Sequence, residues 1–259
     1  MDARIEILNI CKLIDEGIST FINTTNTLII GRYESVVESK LILNLCIRHL
    51  ESINELAKKD LVFLPSAMTL SRSVFESAVN VLWMMFPKDI YECETRYISH
   101  LKEYEDWLVG QIKFFNSLKW NADKYVNEKD IISEFRKAIE KLLNEKGYKI
   151  YPKQKIREIL KSINEERKYL YYKLLSGYTH GGYYSTFLYR KNLGTCMSFG
   201  EFININDWKF LYCISWPAFE IASELFIEKA SEGNINTVYS DKFKKEIRTA
   251  LEMAEKSNS

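Results

Sequence analysis

Arg72 and Glu76 stand four residues apart in the stretch LPSAMTLSRSVFESAVNVLWMMF. On a helix they share a face, where a guanidinium and a carboxylate can pair and hold one another rigid. At 100° per residue, Thr69, Arg72, Ser73, Glu76, Ser77 and Asn80 fall on one arc, while Ala67, Leu70, Val74, Phe75, Ala78, Val81 and Leu82 take the other side. The polar arc is unusual in kind. Solvated helix faces carry Lys, Glu, Gln and Arg, whereas here one Arg and one Glu stand among Ser, Thr and Asn, short side chains that let another element approach closely. Two readings stay open: an ion pair that ties the helix to its neighbours, or the wall of a cleft in which Arg72 holds a phosphate or carboxylate.

A second group lies in YYKLLSGYTHGG. If residues 165–180 are helical, Tyr169, Tyr172, Ser176 and His180 share a narrow arc with Lys173 at its edge, and Leu170, Tyr171, Leu174, Leu175 and Tyr178 take the other side. Gly181 and Gly182 can supply the left-handed residue that ends a helix. His180 then sits in the last turn, at the carbonyl end of the helix dipole, a placement suited to general acid or base work and equally to a plain helix-end contact. Arg96 and His100 form a further candidate pair, because Glu92, Arg96, His100 and Glu103 line up at helical spacing. That ladder also fits a solvated face laced with ion pairs.

Between Lys141 and Lys173 the chain has ten bases against four acids, in a sequence whose formal net charge is only +1. Tyr148 and Tyr151 are interleaved with these bases, among which Lys149, Lys153 and Lys155 are clustered. Lysines with tyrosines suit phosphate attraction plus base stacking on a single strand of nucleic acid, and the same composition also describes ordinary solvated surface. The near-zero net charge excludes a global field that would draw the whole protein onto nucleic acid or anionic lipid.

The elements that must position these residues are helices. Ten glycines and four prolines in 259 residues leave long uninterrupted segments. Apolar spacing predicts helices over about 5–21, 28–56, 65–86, 87–120, 130–145, 153–163, 165–180, 207–229 and 240–256. Only 183–205 lacks a helical period and is expected as an irregular segment or a short β-hairpin around MSFGEFINI. The expectation is an all-α, single-domain multi-helix bundle spanning 1–259, with a weak internal boundary near 147–153. Five widely spaced cysteines (Cys11, Cys46, Cys93, Cys196, Cys213) never form a CxxC pair. They read as buried thiols in a reducing compartment rather than disulfides or a zinc site. The N-terminus has no signal-peptide pattern and the longest apolar run, VNVLWMMF, is far short of a bilayer span. A cytoplasmic protein without membrane association is expected.

The pairing of SRSVFESAVNVLW with YYKLLSGYTHGG resembles an uncharacterised bacterial family of all-helical proteins. In that family an R-x-x-x-E helix is followed by a helix ending in Ser and then His, matched here by Arg72 and Glu76, then Ser176 and His180. Such proteins look distantly similar to the HEPN superfamily of toxin–antitoxin, abortive-infection and CRISPR-linked systems. The resemblance implies a metal-independent endoribonuclease with no cofactor, acting on RNA as a homodimer and held by an antitoxin or defence-system partner. In that reading His180 moves a proton, Arg72 stabilises phosphate charge and Glu76 orients Arg72. Tyr169, Tyr172 and Ser176 hold substrate, and Lys149, Lys153 and Lys155 grip its backbone. HEPN nucleases carry Arg and His close together on one helix. Here Arg96 and His100 are separated by three residues, and Arg167 and His180 by twelve. A site built from Arg72 and His180 therefore requires two helices to meet, and a gap beyond roughly 10 Å between them would exclude it. The alternative from another class is a non-catalytic module that binds a protein or small ligand, braced by Arg72, Glu76 and His180.

Overall fold

The computed structural model describes residues 3–181, 185–186, 205–235 and 237–252. Each apolar-periodic run becomes a helix: α1 (Ala3–Thr25), α2 (Glu34–Lys59), α3 (Leu64–Met85), α4 (Ile90–Ser117), α5 (Asp123–Glu145), α6 (Ile156–Ser162), α7 (Tyr169–Thr179), α8 (Ile205–Ala230) and α9 (Asp241–Leu251). Short 3₁₀ turns precede α3 and α7. Among the described residues there is no strand, and the fold is an all-α multi-helix bundle. Of the insert expected near 183–205, only Ser185, Thr186 and Ile205 are described; the remainder, with Gly182 and Cys196, lies outside the described residues.

Local chemistry explains the boundaries. Asp89 and Ser240 cap α4 and α9 by accepting from the Tyr91 and Phe243 amides, and Pro65 occupies the first turn of α3, where a missing N–H costs nothing. α2 begins six residues later than its apolar pattern predicts, at Glu34 rather than near Leu28. Gly31 in the intervening segment has φ +146°, which no helix accommodates. At the far end of α5, Gly147 takes φ +85° and the chain runs non-helically to α6. The boundary expected at 147–153 coincides with this connection, yet Leu143 before it and Ile159 after it belong to the same buried cluster.

α3 is the central helix, contacting α2, α4, α6, α7 and α8. Its apolar arc is buried except for half-buried Leu70, and every member of its polar arc (Thr69, Arg72, Ser73, Glu76, Ser77, Asn80) is half-buried. α8 lies along α3 and supplies Trp208, Tyr212, Trp216, Phe219 and Phe226, all fully buried. α8 is also long and apolar enough to cross a membrane by length and composition, but 67% of that stretch is buried against other helices, which accounts for its apolar character. α5 differs from the rest. It packs on α4 and buries only Ser133 and Leu143.

Candidate functional site

α7 lies across the polar arc of α3, and the two residue groups singled out by spacing meet there. The guanidinium of Arg72 is the hub. Its Nε and Nη2 both donate to Oε1 of Glu76, at 3.2 and 3.0 Å, and Nη2 also reaches the Tyr172 hydroxyl at 3.3 Å. Nη1 lies 3.0 Å from Nε2 of His180. Arg72 is therefore far inside the roughly 10 Å limit for a shared site.

The hydrogen-bond inventory fixes the roles in that last contact. Arginine has donors only and stays protonated, so Nε2 of His180 must be the acceptor. The imidazole is then neutral, with its proton on Nδ1. Burial is graded across the cluster: the side chain of Arg72 is 13% exposed and that of Glu76 36%, while His180 is exposed. The charged anchor is thus held inside and the titratable ring faces solvent. His180 caps α7 with its own amide bonded to the Ser176 carbonyl, and Gly181 follows at φ +61°, the left-handed residue expected to stop the helix.

The tyrosine ladder is assembled as well. Tyr172 lies beneath Arg72, with the guanidinium carbon 5.0 Å from its ring centroid, and stacks on Tyr169 at 5.6 Å and 21°. Ser176 donates to the Tyr172 carbonyl at 2.6 Å, so its proton is already committed to its own helix and only its lone pairs face outward.

The remaining candidates separate. Arg96 donates to the Trp83 carbonyl and lies over the Trp83 ring, a packing role inside the bundle. His100, one turn further on, does not join it. Its Nδ1 accepts from Lys153 at 3.1 Å, and Lys153 also pairs with Glu103 at 2.6 Å. Lys153 therefore stands beside His100 rather than beside Arg72. Lys149 and Lys155 are exposed. Two other cations of the same basic run are placed at the tyrosine ladder: Arg157 and Lys173, 5.8 and 5.7 Å from the Tyr169 ring. Arg157 also binds Glu166. Spacing along α7 put Lys173 at the edge of the arc, but nothing in the sequence placed Arg157 there, because its position depends on how α6 packs against α7.

Among the described residues no group of three or more His, Cys, Asp or Glu is arranged to hold a metal ion. Burial pushes the thiols of Cys46 and Cys93 up to about 12 and about 11, so both stay protonated and inert.

Residues 41–194, well over half of the chain, match the model of a family of unknown function (DUF5677). The chain belongs to this family. The DUF5677 segment runs from the third turn of α2 past the end of α7 and contains Arg72, Glu76, Tyr169, Tyr172, Ser176 and His180, whereas α1, α8 and α9 lie outside it. Comparison with curated proteins and with solved structures gave no match.

Proposed function

We propose that Arg72, Glu76, Tyr172 and His180 form the phosphodiester-handling site of a metal-independent, HEPN-like endoribonuclease that acts as an effector of a bacterial stress or antiphage system. The observation that carries this reading is the 3.0 Å approach of Arg72 Nη1 to His180 Nε2, made by an arginine whose other two nitrogens are already fixed by Glu76 and Tyr172. A phosphate oxygen entering at Nη1 replaces Nε2 as the acceptor, and the freed imidazole nitrogen becomes a base beside a bound phosphate. His180 then removes the proton of the neighbouring 2′-hydroxyl, the 2′-oxygen attacks phosphorus to give a 2′,3′-cyclic phosphate, and the P–O5′ bond breaks, the 5′-oxygen leaving as a hydroxyl with a proton taken from solvent, to which the imidazolium returns its own. Arg72 stabilises charge on the phosphate, and Glu76 holds it in place so that no reorganisation is needed during reaction. Tyr169 offers a stacking face for a base, and Lys173 and Arg157 beside it supply the electrostatic grip, with exposed Lys149 and Lys155 contributing more diffusely.

A second reading, a polar brace in a non-catalytic ligand- or protein-binding module, is favoured by the Arg72 guanidinium spending four of its five N–H donors on Glu76, Tyr172 and His180 within the protein. Purified protein incubated with total RNA in EDTA separates the two. The nuclease reading expects cleavage leaving cyclic phosphate ends, lost in Arg72→Ala and His180→Ala. The brace reading expects no cleavage by any version, with Arg72→Ala less stable and exposed His180→Ala unchanged.

A further inference from the structure

A cavity of about 590 Å³ opens where α2, α4 and α5 meet, lined by Glu38, Tyr97, His100, Leu101, Glu103, Tyr104, Trp107 and Ile132. Its volume is within the range of small-molecule sites, and it shares no lining residue with the Arg72 cluster.

The charges around it do not balance. Glu103 is paired with Lys153 at 2.6 Å. Among the described residues Glu38, 31% exposed, has His100 as its only ion-pair neighbour, at 3.7 Å, which is beyond hydrogen-bond length. His100 cannot serve as the missing cation. Lysine only donates, so Nδ1 of His100 accepts from Lys153, and the ring is neutral with its proton on Nε2, the nitrogen 3.7 Å from Glu38. Burial and the Lys153 charge reinforce this by lowering its pKa from 6.5 to about 4. Burial and Glu34 raise the pKa of Glu38, the signature of a carboxylate short of positive charge.

Aromatic surface completes the site. Tyr104 and Trp107 stack at 5.7 Å and 11°, and both remain substantially exposed, at 39% and 50%. Half-exposed rings beside an unpaired carboxylate, with Leu101 and Ile132 forming an apolar wall, match the chemistry of a cation carrying an apolar body.

We propose that this cavity binds a small organic cation, an amine or quaternary ammonium with an aromatic or aliphatic body, whose positive end pairs with Glu38 while its body lies against Trp107, Tyr104 and Leu101. One cation neutralises the site, because Lys153 already answers Glu103.

The test is calorimetric titration of the full chain with phenethylamine and with benzyltrimethylammonium, beside the neutral 2-phenylethanol. Saturable one-to-one binding of at least one of the two cations is expected. The alcohol should bind at least about tenfold more weakly, and Glu38→Gln should lose about tenfold or more in affinity for the cation, as for a charge-assisted contact. Trp107→Ala should also weaken binding, while Arg72→Ala should leave it unchanged. Absence of binding by both cations, equal binding of 2-phenylethanol, or full affinity in a folded Glu38→Gln protein would each overturn the proposal.

Discussion

His180 and His100 are both neutral in their hydrogen-bond geometry, each accepting from an obligate cation, but they are placed for different tasks. His180 is exposed at a helix end, where its partner Arg72 can exchange one acceptor for another. His100 is 25% exposed and wedged between Lys153 and two glutamates. Its titration therefore affects stability. Burial and Lys153 lower its folded pKa from 6.5 to about 4, so between these values the unfolded chain takes up a proton that the folded chain refuses. Its contribution is complete above pH 6.5 and is withdrawn as pH falls towards 4, by at most about 3 kcal/mol. Glu38, with its pKa raised by burial and Glu34, takes up a proton more readily in the folded chain than in the unfolded one and acts in the opposite sense. Urea unfolding at pH 4.5, 5.5 and 7 isolates the histidine when wild type is compared with His100→Gln. The variant should show the flatter loss of stability on acidification, and identical profiles would assign the acid sensitivity to other groups.

At the scale of elements, close approach between helices is the feature that spacing alone conceals. Gly17 lies on α1 where α8 and α9 converge, and a Cβ added there would fall 2.2 Å from Cη2 of Trp216 and 2.9 Å from Cζ of Phe243. Alanine gains about 1 kcal/mol over glycine in a helix interior. Overpacking against a rigid, fully buried indole costs about 1–3 kcal/mol or more and must win. Gly17→Ala should therefore lower stability in urea unfolding and perturb tryptophan fluorescence, despite its better helix propensity. The polar arc of α3 and the Tyr169–His180 arc of α7 were legible in the sequence because a 100° rotation is enough to sort their side chains. That these arcs would face each other was not, since it depends on how α7 crosses α3. The same limit explains Lys153. Charge density marks it as one of a basic run, but the segment from Gly147 to α6 carries it to Glu103 and His100 on α4. Gly31 likewise delays α2 through a backbone angle that an apolar pattern cannot register.

For the whole molecule, the segment that defines the family is not the segment that closes the core. Residues 41–194 hold the proposed site, yet α3 within them is flanked by α8 from outside, and Ser71 of α3 donates to the Leu211 carbonyl of α8 at 3.2 Å. α8 contributes the fully buried Trp208, Tyr212, Trp216, Phe219 and Phe226, and α1 adds Ile7, Ile10, Ile14 and Phe21 to the same cluster. Each large apolar side chain contributes about 1.5–3 kcal/mol when buried, so removing these nine forfeits about 14–27 kcal/mol, which matches or exceeds the roughly 5–15 kcal/mol by which a typical domain is stable. A fragment of residues 41–194 should thus keep helical circular dichroism but bind a hydrophobic dye and lack a cooperative thermal transition, whereas the full chain melts cooperatively. A cooperatively folded fragment would mean that α2 to α7 form a self-sufficient unit and that α1 and α8 are added to it rather than required by it. If the fragment fails as expected, the Arg72–His180 contact is a property of the full bundle, because the face of α3 opposite the site is held in place by α8.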